Sequence, residues 1–204
     1  LVNIGHETID LAIVRGTDLL FARNLTSGSK GLDEAISSQF NVSSRKAEVR
    51  KKDLLDLDPQ SRGNDKSGQA EKVTMAAMSA ATSIPAAINS SLSFCKAQTK
   101  IADLRIDKVL ICGGGARLRG LRGLLRENLR CPVELFDPFA NLDLSALPPE
   151  DAEQLQQMRH EAVVALGLAV GSLDDSLYSI EILPEAVRKK QRFQQRTIFN
   201  ILAG

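Results

Sequence analysis

The stretch Lys108-Val-Leu-Ile-Cys-Gly-Gly-Gly-Ala-Arg-Leu-Arg-Gly-Leu121 joins an apolar run to three consecutive glycines and then to an arginine-rich segment. Its apolar part, residues 108–112, predicts a short buried strand, and residues 118–129 predict an amphipathic helix. A further apolar run at residues 132–136 predicts a second strand. A strand, a glycine turn, a helix and a strand in this order are typical of a parallel β-α-β unit, so we expect an α/β fold.

Three glycines at the end of a buried strand are costly. Gly113, Gly114 and Gly115 each lose about 1 kcal/mol of chain entropy on folding, and close approach of the backbone to a flat ligand would offset that loss. Two common phosphate motifs are excluded here. The P-loop motif G-x-x-x-x-G-K-[S/T] does not occur in the sequence. The dinucleotide motif G-x-G-x-x-G fails because Leu118 stands where its third glycine would be.

The first 25 residues contain three short apolar runs separated by two turn signals. The runs are residues 1–4, 9–14 and 19–25. This pattern predicts a three-stranded antiparallel meander. The first turn is a candidate phosphate hairpin, because Gly5 lets the backbone approach an anion and Thr8 adds a hydroxyl donor. A surface turn without a ligand explains the same residues, so the hairpin alone leaves both interpretations open.

Helical periodicity follows the meander. It predicts helices over residues 32–40, 45–55, 69–102 and 152–173, with a bend at Pro85 and a loop over residues 56–68. We expect the long-helix insertion, about residues 43–99, to form a smaller subdomain that gates a cleft.

Composition limits the classes of partner. With 204 residues and 43% hydrophobic content, the chain can bury one sizeable core. Its 26 Lys and Arg residues nearly balance its 25 Asp and Glu residues, so no overall field favours nucleic acid as a partner. The three cysteines form no C-x-x-C pair and favour a reducing cytoplasm. No apolar run approaches the roughly 20 residues of a membrane helix.

Five segments, taken in order, resemble the motifs of actin-like ATPases. They are residues 2–8, 21–28, 47–51, 111–121 and 165–169. Within that superfamily the chain looks like the PilM family of type IV pilus assembly proteins, relatives of the cell-division protein FtsA. The resemblance covers about residues 1–173. It implies that residues 1–178 form the second half of an actin-like, ribonuclease H-like nucleotide-binding fold.

The resemblance implies ATP or ADP with Mg²⁺ as the ligand, and it assigns the phosphate side of the site to the first hairpin. Gly5, His6 and Glu7 would offer backbone N–H groups to the phosphates. Thr8 would offer its hydroxyl.

The resemblance assigns the adenosine side to two other segments. Glu48 and Lys51, which lie on one face of a helix, would reach the ribose and the adenine. A solvated ion pair between these two side chains is the alternative interpretation. The remaining implied contacts are Gly113, Gly114 and Gly115 beneath the adenosine, and Arg117 stacked on the base.

Departures from the family pattern argue against turnover. The family's hairpin begins with an Asp that holds the Mg²⁺ water shell, whereas this chain has the neutral amide of Asn3. Ile9 stands where a second hydroxyl residue often follows. The first phosphate loop belongs to the family's amino-terminal half. Because the chain starts at Leu1, we expect a fragment or excised domain that does not hydrolyse ATP alone, and we assign no catalytic residue.

Residues 179–204 differ in character from the rest. Ile180-Glu-Ile-Leu-Pro184 is followed by a basic cluster and an apolar end. A solvated helix end is one interpretation, and a juxtamembrane segment with residues 188–204 on anionic lipid is another. The segment also resembles the cytoplasmic tail of PilN, the membrane partner of PilM-like proteins, so a PilN-like tail would bind in cis or in trans.

The leading hypothesis is therefore a nucleotide-responsive scaffold of type IV pilus or related secretion machinery. It would lie at the cytoplasmic face of the inner membrane with other pilus assembly proteins, and it would bind nucleotide rather than turn it over. Two rival hypotheses are an active ATPase or sugar kinase of the same superfamily and a filament-forming cytoskeletal protein.

Overall fold

The computed structural model describes residues 1–26, 28–58, 68–173 and 187. The chain divides into two compact units, residues 1–164 and residues 165–204. The predicted boundary at residues 178–179 and the basic tail lie outside the described residues.

A five-stranded mixed sheet forms the centre of the first unit. Its order is β3-β2-β1-β4-β5. The strands are β1 (Val2–Ile4), β2 (Ile9–Arg15), β3 (Asp18–Leu25), β4 (Val109–Cys112) and β5 (Val133–Leu135).

The central strand β1 joins two kinds of pairing. It pairs antiparallel with β2, where Asn3 lies opposite Asp10, and parallel with β4, where Val2 lies opposite Ile111. Strands β2 and β3 are antiparallel, and β4 and β5 are parallel. The sheet therefore confirms both the predicted meander and the predicted parallel β-α-β unit.

Helices α1 and α2 differ from their predicted bounds by one or two residues, whereas α3 ends and α4 starts three residues from the prediction, each for a local reason. They are α1 (Lys30–Phe40), α2 (Ser44–Leu54), α3 (Gln69–Thr99), α4 (Leu121–Leu129), α5 (Pro149–Gln157) and α6 (Val163–Leu173). Helix α3 ends at Thr99 because Lys100 adopts a left-handed conformation with φ 59°. Gly120, with φ 76°, delays the start of α4, and residues Gly114–Arg117 form a 3₁₀ turn before it.

The predicted continuous helix over residues 152–173 is wrong, because a turn separates α5 from α6. His160 in this turn accepts a hydrogen bond on its carbonyl oxygen from the Gly113 N–H, with an N···O distance of 2.6 Å. Its Nδ1 lies 3.0 Å from the carbonyl oxygen of Phe136. These contacts hold the turn at the ends of β4 and β5.

One hydrophobic cluster unites the strands with the helices of the predicted insertion. Ile4, Ile9 and Ile111 of the sheet share this core with Ala47 of α2 and Ile84 of α3. Burial of such side chains is the main favourable term in folding, at about 25 cal/mol for each Å² of apolar surface removed from water. Helix α3 contacts α1, α2, α4, β2 and β3. That residues 43–99 gate a cleft stays a prediction.

No helix in the described part of the chain is long and apolar enough to cross a membrane.

Glycine 120 fixes the junction between the loop after α2 and the start of α4. A Cβ at this position would collide with the backbone N of Asp58 and lie 2.5 Å from the carbonyl carbon of Leu57. We predict that Gly120→Ala destabilises the chain by at least about 2 kcal/mol, because both the clash and the positive φ oppose a side chain. Urea denaturation measures this change.

The matched control is Gly123→Ala in the same helix, where a Cβ would meet nothing within 4 Å. This substitution should stabilise the chain by about 0.5–1 kcal/mol, because Ala loses less backbone entropy in a helix than Gly. Equal effects of the two substitutions would contradict the assigned role of Gly120.

Candidate functional site

A cavity of about 560 Å³ lies where the hairpin after β1, the start of α1, helix α2 and the glycine turn after β4 meet. Six of the predicted site residues line it: His6, Glu48, Lys51, Gly114, Gly115 and Arg117. They come from three separate segments of the chain. The lining also includes Ser29, Lys52, Leu55, Leu118, Arg119 and Glu161.

The other five predicted site residues are not in the lining of this cavity. They are Asn3, Gly5, Glu7, Thr8 and Gly113. Gly5, Glu7 and Thr8 lie in the hairpin and Gly113 begins the glycine turn, whereas Asn3 lies on β1.

The hairpin presents fewer backbone donors than predicted. The Gly5 N–H donates to the carbonyl oxygen of Thr8 at 2.9 Å, so it closes the turn and is not available to an anion. The N–H groups of His6 and Glu7 have no acceptor among residues 1–26, 28–58 and 68–173. Among the described residues, two of the three predicted donors of the hairpin are therefore left without an acceptor.

The carbonyl side of the same hairpin holds the start of α1. Gly5, His6 and Glu7 accept hydrogen bonds from the N–H groups of Ser29 at 2.9 Å, Lys30 at 2.7 Å and Gly28 at 3.1 Å, respectively. A Cβ at position 28 would collide with the carbonyl oxygen of His6 and lie 2.7 Å from the carbonyl carbon of Glu7. Gly28 therefore allows the hairpin and α1 to approach closely.

The three glycines after β4 differ in what surrounds them, and their predicted contact with a ligand stays a prediction. Gly113 has φ 84°, and a Cβ there would lie 2.6 Å from the carbonyl oxygen of Ile4. A Cβ at Gly115 would lie 2.9 Å from the same oxygen. These two glycines allow β1 to pack against the turn. Only at Gly114 does a Cβ face open space, with Glu161 Oε1 the nearest atom at 4.0 Å.

Helix α2 does not contain the Glu48–Lys51 ion pair that was the alternative to a binding role. Lys51 is 6% exposed, and its Nζ lies 2.6 Å from Oδ2 of Asp33, which is 4% exposed. Glu48 instead pairs with Lys52, with 2.7 Å between Oε1 and Nζ. The hydrogen bond from Lys52 lowers the pKa of Glu48, and the same bond raises the pKa of Lys52.

Asp33 is a site residue that the sequence analysis did not identify. Its Oδ2 also lies 3.8 Å from Nδ1 of His6, while its buried Oδ1 has no hydrogen-bond partner among the described residues. One signal was present in the sequence. Asp33 lies beside Leu32 and three residues before Ile36, so helical spacing places it on the apolar face of α1.

Glu161 is a second such residue. It belongs to the turn between α5 and α6, and its Oε1 lies 3.7 Å from NH1 of Arg117. No local pattern predicts this contact, because it depends on the turn that His160 anchors to the ends of β4 and β5.

Asn3 lies on β1 and takes part in an amide–carboxylate cluster. Its Nδ2 donates to Oδ2 of Asp10 at 3.1 Å, and Nδ2 of Asn24 donates to Oδ1 of Asp10 at 2.6 Å. Both oxygens of this carboxylate are therefore occupied by amides. Within the described part of the chain, no group of three or more His, Cys, Asp and Glu side chains is arranged to hold a metal ion.

The family model of the type IV pilus assembly protein PilM matches residues 1–173. The chain belongs to this family. A chain of a solved PilM–PilN type IV pilus biogenesis complex is 28% identical to this PilM-family chain, with a TM-score of 0.64. That match covers 85% of this chain and 45% of the solved chain. A comparison with curated proteins found no match.

Two further solved structures show the fold class. MreB5 of Spiroplasma citri bound to AMPPNP has a TM-score of 0.50 at 18% identity, covering 83% of this chain and 54% of the MreB5 chain. A non-polymerising mutant of MamK bound to AMPPNP has a TM-score of 0.51 at 20% identity, and the match covers 81% of this chain and 53% of the MamK chain. The predicted actin-like fold is confirmed. The chain spans about half the length of the solved chains it matches.

The buried Lys51–Asp33 pair makes a stability prediction. Lys51→Met leaves the Asp33 carboxylate buried without its cation, so we predict a loss of about 3–5 kcal/mol in the free energy of unfolding. Urea denaturation at neutral pH measures it.

Lys52→Met is the matched control in the next position of α2. Because Lys52 pairs with Glu48 on the exposed side of the helix, its loss should leave the denaturation midpoint unchanged within error. If Lys51→Met changed the free energy of unfolding as little as Lys52→Met, the buried Asp33 carboxylate would not need the Lys51 cation to be tolerated.

Proposed function

We propose that this PilM-family chain is part of a nucleotide-responsive scaffold of type IV pilus machinery, and that it binds ATP or ADP without turning it over alone. The observation that carries the proposal is the cavity in which residues of the β1–β2 hairpin, α2 and the glycine turn meet. Distant segments that converge on one polar cavity are typical of a binding site.

The charges and donors of the cavity suit a phosphate-bearing ligand. Lys51, Lys52, Arg117 and Arg119 line it, and the N–H groups of His6 and Glu7 have no acceptor among the described residues. Backbone N–H groups and cationic side chains are the usual partners of phosphate oxygens. The MreB5 and MamK structures, which share this fold, contain AMPPNP.

Individual roles follow from the positions of the side chains. We assign the phosphate side to the hairpin, with the hydroxyl of Thr8 beside the donors of His6 and Glu7. The adenosine side falls to α2 and the glycine turn, where Glu48 would accept hydrogen bonds from ribose hydroxyls. Gly114 would lie against the nucleoside, and Arg117 is the candidate for stacking on the base.

The chain is less suited to hydrolysis. Mg²⁺ would supply charge neutralisation for the phosphates and help to orient water. Asn3 offers a neutral amide, and both oxygens of Asp10 already accept amide hydrogen bonds, so we assign no metal contact to either residue. The chain also spans 45% of the PilM–PilN chain it matches, and the proposal gives it only part of a site.

The proposed partner is the cytoplasmic tail of a PilN-like membrane protein, because a chain of a PilM–PilN complex matches 85% of this chain at 28% identity. This partner would hold the scaffold at the cytoplasmic face of the inner membrane, near other pilus assembly proteins. The PilN-like segment predicted in cis lies outside the described residues.

The first test is nucleotide binding and hydrolysis by the full-length chain. We expect saturable binding of ATP and ADP in isothermal titration, and no more phosphate release than in a protein-free blank. Gly114→Leu should weaken binding at least about tenfold, because its side chain projects into the cavity, with the Gly123→Leu variant as control. Asn3→Asp tests whether the missing carboxylate is what prevents turnover.

Two results would contradict the proposal. Appreciable ATP turnover by the natural sequence would replace the scaffold by an active ATPase. Absence of nucleotide binding would remove the assigned site, and equal affinities in the Gly114→Leu and Gly123→Leu variants would move the ligand elsewhere.

The second test concerns the partner. A labelled peptide with the sequence of a PilN-type cytoplasmic tail should bind the full-length chain saturably in a fluorescence anisotropy titration, while a scrambled peptide of the same composition should not. Binding of both peptides alike would indicate charge attraction alone, and binding of neither would rule out this partner.

A further inference from the structure

The cations around the cavity are already engaged. Lys51 pairs with Asp33, Lys52 pairs with Glu48, and Arg117 lies 3.7 Å from Glu161. A guanidinium nitrogen of Arg119 donates to the carbonyl oxygen of Asp53. A polyanionic ligand therefore enters a site in which four cations face three carboxylates, so additional positive charge would favour its binding.

Among the described lining residues, His6 is the side chain that can supply this charge near neutral pH. Histidine changes its charge between about pH 5 and pH 8, whereas Lys and Arg stay protonated and Glu stays ionised there. The His6 side chain is 55% exposed, and its Nδ1 lies 3.8 Å from Oδ2 of Asp33. Its imidazole thus lies between a buried carboxylate and the space that a ligand would occupy.

The Asp33 carboxylate still has capacity to accept a hydrogen bond. Oδ2 contacts Nζ of Lys51 at 2.6 Å, but Oδ1 has no partner within the residues that the structure describes. A buried oxygen without a donor is costly, so a donor that reached it would be stabilising. The Nδ1 atom of His6, which lines the cavity, lies 3.8 Å from the other oxygen of this carboxylate, Oδ2.

Only one form of the imidazole can serve two acceptors. Neutral histidine carries one N–H and one acceptor nitrogen, whereas the protonated ring donates from both nitrogens. With Asp33 on one side and a phosphate on the other, both ring nitrogens face acceptors. The doubly donating, positively charged form is therefore favoured as soon as the phosphate is present.

We propose that binding of a nucleotide in this cavity takes up a proton on His6, which then bridges the Asp33 carboxylate and a phosphate of the ligand. This inference rests on the proposed function and adds a pH dependence to it. Asp33 acts as the positioning residue of the bridge, since its Oδ2 is fixed by the ion pair with Lys51.

The other charged groups around His6 belong to four parts of the structure. Glu7 and Lys30 form an ion pair with 3.7 Å between Oε1 and Nζ, and Glu48 is near enough to interact with His6 electrostatically. The charged groups of the surroundings are Glu7 on the hairpin, Lys30 and Asp33 on α1, Glu48, Lys51 and Lys52 on α2, and Arg117, Arg119 and Glu161 on the opposite wall. Histidine is the side-chain type that ordinarily changes its charge near neutral pH, and His6 is the histidine in this group.

The sign of the effect is fixed by linkage. Because the bound state holds one more proton than the free state, affinity must rise as pH falls through the range in which histidine side chains ordinarily change charge. We expect ADP to bind roughly threefold to tenfold more tightly at pH 6 than at pH 8, since each pKa unit of difference corresponds to a factor of ten.

The experiment is isothermal titration of the full-length chain with ADP and with ATP, each with Mg²⁺, at pH 7 in buffers of different ionisation enthalpy. The dependence of the heat on the buffer gives the number of protons taken up. His6→Asn should bind nucleotide with a smaller uptake and a flatter pH dependence. His6→Lys, with a permanent charge, should keep tight binding at pH 8 and also lose the uptake.

The matched control is His160→Asn, because His160 is the other of the chain's two histidines and its side chain does not line the cavity. This variant should retain the uptake of the natural sequence. Protons that the nucleotide itself exchanges with solvent are common to all variants, so the differences between variants measure His6 alone.

The outcomes separate the two proposals. Nucleotide binding with the same proton uptake in the natural chain and in His6→Asn overturns the role of His6 and leaves the proposed function in place. If His160→Asn loses the proton uptake and His6→Asn keeps it, the role of His6 is also overturned. No heat of binding with either nucleotide at pH 6 or pH 8 overturns both the nucleotide site and the inference built on it.

Discussion

The three-residue strand β1 makes the pairing on which the rest of the molecule depends. It is the only element of the described sheet that pairs antiparallel on one edge and parallel on the other, so it joins the amino-terminal meander to the β-α-β unit more than a hundred residues later. A strand of three residues forms few backbone hydrogen bonds with its neighbours. Its attachment is secured by Gly113 and Gly115, whose missing side chains let the backbone of the turn contact Ile4. The cavity lies beside this junction. The pairing of β1 with β2 and β4 therefore fixes the hairpin and the glycine turn, which both contribute to the lining, relative to each other.

The sequence predicts those parts of the fold that depend on local pattern. Alternating runs and turn residues identify the strands of the meander, and the apolar run before Gly113 identifies β4, because each signal lies within a few residues. The division between α5 and α6 has no such signal. It depends on hydrogen bonds from the turn at His160 to Gly113 and Phe136, which are distant in sequence, and residues 152–173 taken alone favour one helix.

The same distinction separates the predicted and the missed parts of the site. The order of the motifs predicted that His6, Glu48, Lys51 and the glycine turn belong to one site. In the structure, most of these residues line one cavity. Spacing along α2 could not identify the partner of Lys51, because helical periodicity offers Glu48 and says nothing of Asp33 on another helix. Pairing between helices is decided by packing, which a single sequence does not display.

The hydrogen bonds between the hairpin and α1 also couple these two elements mechanically. Three consecutive carbonyl groups of the hairpin receive the N–H groups of Gly28, Ser29 and Lys30, and Gly28 brings the two backbones into contact. The hairpin tip and the first turn of α1 are thus held together as one unit, from which the rest of α1 extends. Because α1 packs against both α2 and α3, and packed interiors transmit strain, we expect a displacement of the hairpin tip to be passed on to these two helices through α1.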